Sequence, residues 1–314
     1  MSYYRALGLQ KEPFSTSPDP AFLFLSREHK AAFYRLQISI SLRRGLSVLL
    51  GDVGTGKTTL SRKLSRALND ERDVVFRLIL NPFFKSEKQF LSRLAQLFRV
   101  QVPARASGLD HMEAVERFLF RCGVEEGKTP VLLIDEAQIL PDFVLEVLRI
   151  LLNYETNEFK LLQLILVGQM ELLPRIQRLT NFWDRIALKY VLNPLDEAEV
   201  REMIDFRLEQ AGAGSGTAAA RAASPEDASR ALFTDSAIHL IWGHTRGYPR
   251  KVAMLCHNAL EHLVMYDKTV VDADVVRTLI GAEVRGTGLP DRRQENSADT
   301  GSMHPDEVLI GSGV

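Results

Sequence analysis

The chain has 314 residues, more than one average domain, with 46% hydrophobic and 25% charged residues, an ordinary balance for a soluble globular protein. Its net charge of −1 gives no global electrostatic drive toward nucleic acid or anionic lipid and leaves only a local basic patch for either. No apolar run approaches the ~18 residues of a spanning helix, the N-terminus lacks the apolar stretch of a signal peptide, and two cysteines in apolar helical patterns, Cys122 and Cys256, make no disulfide framework, so a reducing, cytoplasmic setting is expected.

Residues 1–45 read as a lead-in, with Phe14-Ser15-Thr16-Ser17-Pro18-Asp19-Pro20 as a loop and 28–42 as a helix. Leu46-Ser47-Val48-Leu49-Leu50 has the character of a buried strand, and 58–68 carries leucines at 60, 64 and 68, a helical spacing. Between them Gly51-Asp52-Val53-Gly54-Thr55-Gly56-Lys57-Thr58 fits G-x-x-x-x-G-K-[ST], in the strand–loop–helix setting which that motif requires. The chemistry follows from the residue types. Gly51, Gly54 and Gly56 let the backbone turn tightly, so that its N–H groups point into one concavity. The N-terminus of the next helix adds partial positive charge, which suits a polyphosphate. Lys57 is placed to reach the β- and γ-phosphates, and the Thr58 hydroxyl to ligate Mg²⁺. A nucleoside triphosphate is the expected ligand.

Further along, 74–80 reads as a strand, 86–98 and 112–124 as helices, and Val131-Leu132-Leu133-Ile134-Asp135 as a second buried strand. Two carboxylates at its C-terminal end, Asp135 and Glu136, fit the other half of a phosphate site. Asp135 is expected to help hold Mg²⁺, and Glu136 to orient and polarise an attacking water. Residues 142–154 form a helix that is apolar almost all round, with Glu146, Arg149 and Asn153 as its polar stripe, and should be largely covered. Strands at 161–167 and 189–192 follow. Gln169 ends the first of these on the same sheet edge as the phosphate loop. It is placed either to contact γ-phosphate or the water, or to open a helix after a glycine turn. Strands separated by helical patterns predict a parallel sheet covered on both faces, an α/β fold.

After Pro194 the pattern is helical only. Asp196-x-x-Glu199 looks like a capping box, and Val200, Met203, Ile204 and Leu208 share a face. Residues 211–230 are small, polar and aperiodic, and read as a flexible insertion. Helical spacing resumes at Ala237, Leu240 and Ile241, and Val252, Leu255, Cys256, Ala259, Leu260 and Leu263 make a clear stripe. From 285 the composition is that of a disordered tail. The organisation expected is a lead-in (1–45), a nucleotide-binding domain (46–194), a helical lid (195–284) and the tail (285–314). Four histidines, His239 with His244 and His257 with His262, are each spaced five apart, off the spacing of a helical metal pair. Arg62, Lys63 and Arg66, like Arg43 and Arg44, read as a solvated face rather than a nucleic-acid groove. Phe83 and Phe84 fit an exposed partner loop or core packing equally.

Taken together, GDVGTGKTT (residues 51–59), LLIDEAQ, LILVGQ and GYPRKV resemble the AAA+ P-loop ATPases. Within them the chain is most similar to the general secretion pathway protein A (ExeA-type) group, related to transposition ATPases of the MuB/TnsC kind. FSTSPDPAFLFLSREHKAAF and FTDSAIHLIWGHTRGYPRKVAMLCHNAL also resemble that group's lead-in and lid, and the likeness spans about residues 5–283. The resemblance implies a three-layer parallel sheet with a C-terminal helical lid, ATP and Mg²⁺ as cofactors, and a homo-oligomer. It extends the phosphate loop through Thr59 and implies two arginines. Arg250 matches a lid position that reaches the nucleotide of its own subunit. A cation in a first helical turn opposes the helix dipole, which a phosphate partner would offset. Arg185 matches the region that supplies a finger to the neighbouring subunit, with Arg178 as competitor and a salt bridge to Asp184 or Glu171 as the plainer role. The likeness does not extend to the transmembrane helix and peptidoglycan-binding domain of longer members, so the resemblance does not imply envelope anchoring.

Three functions compete. One is an ATP-hydrolysing oligomer acting on a protein partner in an envelope, secretion or pilus machine. Another is a DNA-associated regulator of the transposition or initiator kind. The third is a small-molecule kinase. Glu136 favours water as acceptor and the helical bundle follows the sheet instead of interrupting it, which removes the kinase. Near-neutral charge and the lack of a basic arm favour the protein partner over DNA.

Overall fold

A computed structural model describes residues 2–15, 22–212 and 232–285. The residues expected to form the 14–20 loop lie partly outside it, those of the 211–230 insertion and the tail almost wholly. The elements in chain order are α1 (Tyr3–Ala6), α2 (Arg27–Ser41), β1 (Leu46–Gly51), α3 (Lys57–Asn69), β2 (Val74–Ile79), α4 (Glu87–Leu97), α5 (Gly108–Phe120), β3 (Thr129–Ile134), α6 (Asp142–Leu151), β4 (Gln163–Gly168), α7 (Leu172–Arg178), α8 (Thr180–Trp183) and β5 (Ile186–Leu192). After the sheet come α9 (Glu197–Gln210), α10 (Asp235–Thr245), α11 (Pro249–Met265) and α12 (Ala273–Arg285).

The five strands are parallel, in the order β2-β3-β4-β1-β5. Alternation along each central strand separates two cores. Leu46, Val48, Leu50, Leu132, Ile134, Leu164 and Leu166 face α4, α5, α6 and α7. Leu49, Val131, Leu133, Ile165 and Val167 face α2 and α3 through Leu36, Ile40, Leu60 and Leu64. Because both faces are covered, the central strands β1, β3 and β4 are nearly continuous apolar runs, which is why they are readable in the sequence. Ser47 and Gln163 are buried polar residues on the second face: the Ser47 hydroxyl is satisfied 3.0 Å from that of Ser39 on α2, and Gln163 Oε1 accepts from the Gly45 N–H at 2.8 Å.

A third core belongs to the C-terminal helices. Val200, Ile204 and Leu208 of α9 pack with Ile241 of α10, Cys256 and Leu260 of α11 and Val276 of α12. Leu9, Phe14 and Phe22 of the lead-in join this cluster, whereas α2 belongs to the sheet. The lead-in therefore touches both bodies. The junction is reinforced at Arg27, whose backbone N–H and Nε both reach Glu199 Oε1, at 3.1 and 3.2 Å, while Nη2 pairs with Asp196. Asp196 and Glu199 form the capping box of α9, so the same two carboxylates start the lid and hold the lead-in.

Arg43 corrects the solvated reading of the Arg43-Arg44 pair. It adopts φ 48° at the turn out of α2 and donates to Thr129 Oγ1 and to the carbonyls of Gly123, Gly127 and Lys128, with its guanidinium over the Phe159 ring. It pins the entry of β1 to the entry of β3. Phe83 and Phe84 divide the two roles open to them: Phe84 packs against Phe90 in the core, and Phe83 is 68% exposed.

Candidate active site

The C-terminal ends of β1, β3 and β4 open on one edge of the sheet, and the polar residues that follow each strand converge there. β1 ends in the phosphate loop, β3 in Asp135 and Glu136, β4 in Gln169. The loop turns through Gly56, at φ 97°, into the first turn of α3. A side chain at Gly56 would run into His29 of α2, a neighbour that demands glycine as firmly as the dihedral does.

Lys57 is buried, and its Nζ donates to the carbonyls of Gly51 and Asp52, each at 2.8 Å. Burial lowers its pKa, opposed by the charges of Glu136, Asp135 and Asp52. The Asp135 carboxyl is 2% exposed. Burial raises its pKa, as does the charge of Glu136, against the Glu136 N–H that donates to it at 3.0 Å, the Lys57 charge and the neighbouring Thr58 side chain. An ammonium held only by carbonyls and a buried carboxylate beside a hydroxyl are a fitting set for a phosphate and a hard cation. Lys57 would exchange these carbonyls for phosphate oxygens, and Mg²⁺, which takes few protein ligands, would find ligands of its oxygen type here.

Glu136 occupies the left-handed region at φ 53° and ψ 37°, an uncommon conformation for a non-glycine residue and one that recurs at active sites. Gln138 Nε2 donates to Glu136 Oε2 at 2.6 Å, while Gln138 Oε1 accepts from the Gln169 N–H at 3.0 Å. One side-chain amide thus ties the expected water-polarising carboxylate to the end of β4. Arg175 of α7 holds the same turn from behind, through the Gln138 carbonyl at 2.7 Å. Nothing in the sequence pattern singles out Gln138, because its role exists only once β3 and β4 lie side by side.

Above this edge stands the lid. Tyr248 Oη donates to Asp52 Oδ2 at 2.7 Å, and the Arg250 N–H approaches the Gly54 carbonyl at 3.5 Å. The Arg250 side chain is exposed in the first turn of α11, directly over the loop, and makes no hydrogen bond or ion pair among the described residues. The loop before α11 is anchored at the hinge that follows β5. Gly247, at φ 70°, leaves no room for a side chain against Leu195, whose N–H donates to the Gly247 carbonyl at 2.9 Å.

Lead-in, phosphate loop and lid enclose a cleft of about 1030 Å³ whose walls include Lys57, Thr58, Thr59, Glu136, Gln169 and Arg250. Arg62 and Arg66, exposed on α3, stand at its rim. Arg185 and Arg178 lie elsewhere. Arg185 Nη1 donates to the Arg149 carbonyl at the end of α6, at 2.8 Å, and the plainer role, a salt bridge to Asp184 or Glu171, is not formed among the described residues. Arg178, at the end of α7, is exposed and without a side-chain partner among the described residues.

Residues 40–176 match the family described as AAA domain. The chain is also 35% identical over 260 residues to general secretion pathway protein A of Aeromonas hydrophila, a match covering 82% of this chain. The chain is an AAA+ protein. It spans less than half, 44%, of that curated relative's length. Among solved structures, the ORC2 protein of Aeropyrum pernix in its ADPNP-ADP complexes aligns with a TM-score of 0.57 at 19% identity, covering 86% of this chain and 71% of that one. Drosophila ORC bound to DNA aligns with a TM-score of 0.58 at 20% identity, covering 88% and 68%. At such identities the likeness shows the fold, which here is the AAA+ arrangement of a five-stranded parallel sheet flanked by helices. Among the described residues of this AAA+ protein, no helix is long and apolar enough to cross a membrane.

Proposed function

We propose that this chain binds ATP with Mg²⁺ between its sheet and its lid, hydrolyses it, and does so in a homo-oligomer that assembles or remodels a protein complex. The observation that carries this reading is the convergence of Lys57, Thr58, Asp135, Glu136 and Gln169 on one sheet edge beneath Arg250. Backbone N–H groups of residues 51–59 and Lys57 would hold the phosphates, and Arg250 would close on them from the lid. Mg²⁺, held by the Thr58 hydroxyl and Asp135, would neutralise charge on the phosphate oxygens. Glu136 would orient and deprotonate the attacking water, and Gln169 would contact that water or the γ-phosphate. An arginine of a neighbouring subunit, Arg185 or its competitor Arg178, would complete the site. The partner class rests on the 35% identity to a general secretion pathway protein. Two buried free thiols, Cys122 and Cys256, fit work in the reducing cytoplasm.

Glu136→Gln tests the chemistry. It should bind ATP with Mg²⁺ as the wild type does and hydrolyse it at least ~10²-fold more slowly, since only the base is lost. Undiminished turnover would make Glu136 a structural strand-end residue, and collapse of binding would make it a metal ligand. The second reading, a DNA-associated regulator, is favoured by one observation, the fold likeness to ORC bound to DNA. Fold hosts many functions and carries less weight than sequence identity. Filter binding to duplex DNA with ATP across a salt series decides it: a steep salt slope with ATP-dependent retention would favour DNA.

A further inference from the structure

The cleft continues past the phosphate loop into a part for which hydrolysis has no use. Its walls there are mostly apolar, built from Phe22 and Leu23 of the lead-in and Pro249 and Ala253 of α11, with Ser15 of the lead-in as a small polar addition. Into them α9 places Arg207. The Arg207 Nε–H is buried with no hydrogen-bond partner, and Nη1 reaches the Pro13 carbonyl only at a long 3.4 Å. No carboxylate among the described residues pairs with this cation. Burial pulls its pKa below the ordinary arginine value, against a small opposing effect of Cys256. Buried donors in native proteins are almost always satisfied, so an orphan donor on a ligand cleft asks for an acceptor from the ligand. Its place in the sequence agrees. Arg207 falls three residues after Ile204 and seven after Val200, on the apolar stripe of α9 where a solvated arginine does not belong.

We propose that Arg207 reads the base of the bound nucleotide, donating from Nε to a ring-nitrogen acceptor of a purine whose faces lie against the apolar walls. This rests on the reading that the triphosphate occupies the loop of residues 51–59. Two arguments favour base over phosphate. The phosphate end already has its own donors in the loop N–H groups, Lys57 and Arg250. Mostly apolar walls with few polar groups are the recognition pattern for a flat heterocycle, not for a polyanion. Arginine has donors only, so its partner must present an acceptor, which a purine ring nitrogen does.

The test compares affinities for ATP, UTP and inorganic tripolyphosphate in the wild type and in Arg207→Met, which keeps an unbranched apolar stem. The wild type should prefer ATP to UTP. The variant should lose at least about tenfold for ATP, the worth of one hydrogen bond to a charged group, and with it most of that preference. Tripolyphosphate affinity should not move. Equal losses for ATP and tripolyphosphate would make Arg207 a phosphate ligand and overturn the proposal, and unchanged ATP affinity would make it a packing residue. If Arg207→Met fails to fold, Arg207→Lys serves. It keeps the stem and charge but has no donor at the Nε position, and retention of the full ATP preference in it would overturn the proposal. A wild type that binds tripolyphosphate and ATP equally overturns base recognition alone, whereas one that binds neither overturns the nucleotide reading beneath it.

Discussion

His29 shows how a residue far from the motif sets the loop. Its Nε2 lies 2.9 Å from the Thr55 carbonyl, which can only accept, so Nε2 carries the proton. Nδ1, 2.7 Å from Ser26 Oγ, is then the acceptor, and Ser26 in turn caps α2 by accepting from the His29 N–H. The neutral ring is satisfied on both sides. Burial lowers its pKa, opposed by the Thr55 hydrogen bond and by the charges of Glu199 and Glu28. The sign follows. Below about 6.5 the unfolded chain takes up a proton at this position that the folded chain still refuses, so stability from this site is present above that pH and falls as pH drops. His29→Gln, which offers an amide donor to Thr55 without titrating, should show a smaller loss of melting temperature between pH 7.5 and 5.5 than the wild type. Parallel losses in thermal melts would mean that His29 titrates in the fold as it does unfolded. At this scale legibility was uneven. Residues 51–59 were readable because the loop gathers its ligands within one short run of chain. His29, Gln138 and Tyr248 hold residues of the site from three other segments and Arg207 lines the cleft from a fourth, and spacing within one segment says nothing about convergence between segments. Gln138 and Tyr248 fall within stretches that carry the family resemblance, and Arg207 sits as a cation on an apolar stripe, but none of these marks says what the residue touches.

The elements divide the same way. The central strands and helices α2, α3, α4 and α6 follow apolar periodicity because each buries a face against the sheet. The observed β5 starts three residues before the expected 189–192 strand, because only one flank of it pairs, with β1, and its exposed positions interrupt the apolar run. Helices α7 and α8, at 7 and 4 residues, are too short to show a period. What joins the elements at the site is a lid contact of one side chain, the Tyr248 hydroxyl on Asp52. That hydrogen bond raises the Tyr248 pKa, first through the bond itself. Because the pair is exposed, its loss should weaken the lid's hold without unfolding anything. Tyr248→Phe should release a fluorescent ADP analogue roughly two- to tenfold faster, as expected for one modest hydrogen bond, with the melting temperature unchanged. An unaltered release rate in stopped-flow would show that the bond does not restrain the lid.

At the scale of the whole molecule, the proposed site as one chain builds it has the loop of residues 51–59 for the phosphates, Thr58 and Asp135 for the metal, Glu136 for the water and Arg250 in the lid. What remains is charge compensation from the side of the γ-phosphate away from the lid, which the proposed neighbour supplies through Arg185 or Arg178. Arg185 spends one donor on the Arg149 carbonyl of its own subunit, while Arg178 projects from α7 without such a tie. An arginine acting across an interface belongs to a different active site from the Lys57 of its own chain, and this separates the defects. Arg185→Ala should keep the ATP affinity of the wild type and lose turnover. Lys57→Ala should lose binding and keep a working arginine. Mixed one to one, the two inactive proteins should regain turnover at the interfaces that pair an intact loop with an intact arginine, about a quarter of them in a random head-to-tail assembly. The same mixture made with Arg178→Ala identifies the finger: only the variant that removes it is both inactive alone and rescued. Turnover should also rise more steeply than in proportion to protein concentration, since the site exists only between subunits. Turnover proportional to concentration down to the monomer, with no rescue from either mixture, would place the whole of catalysis within one chain and remove the oligomer from the mechanism.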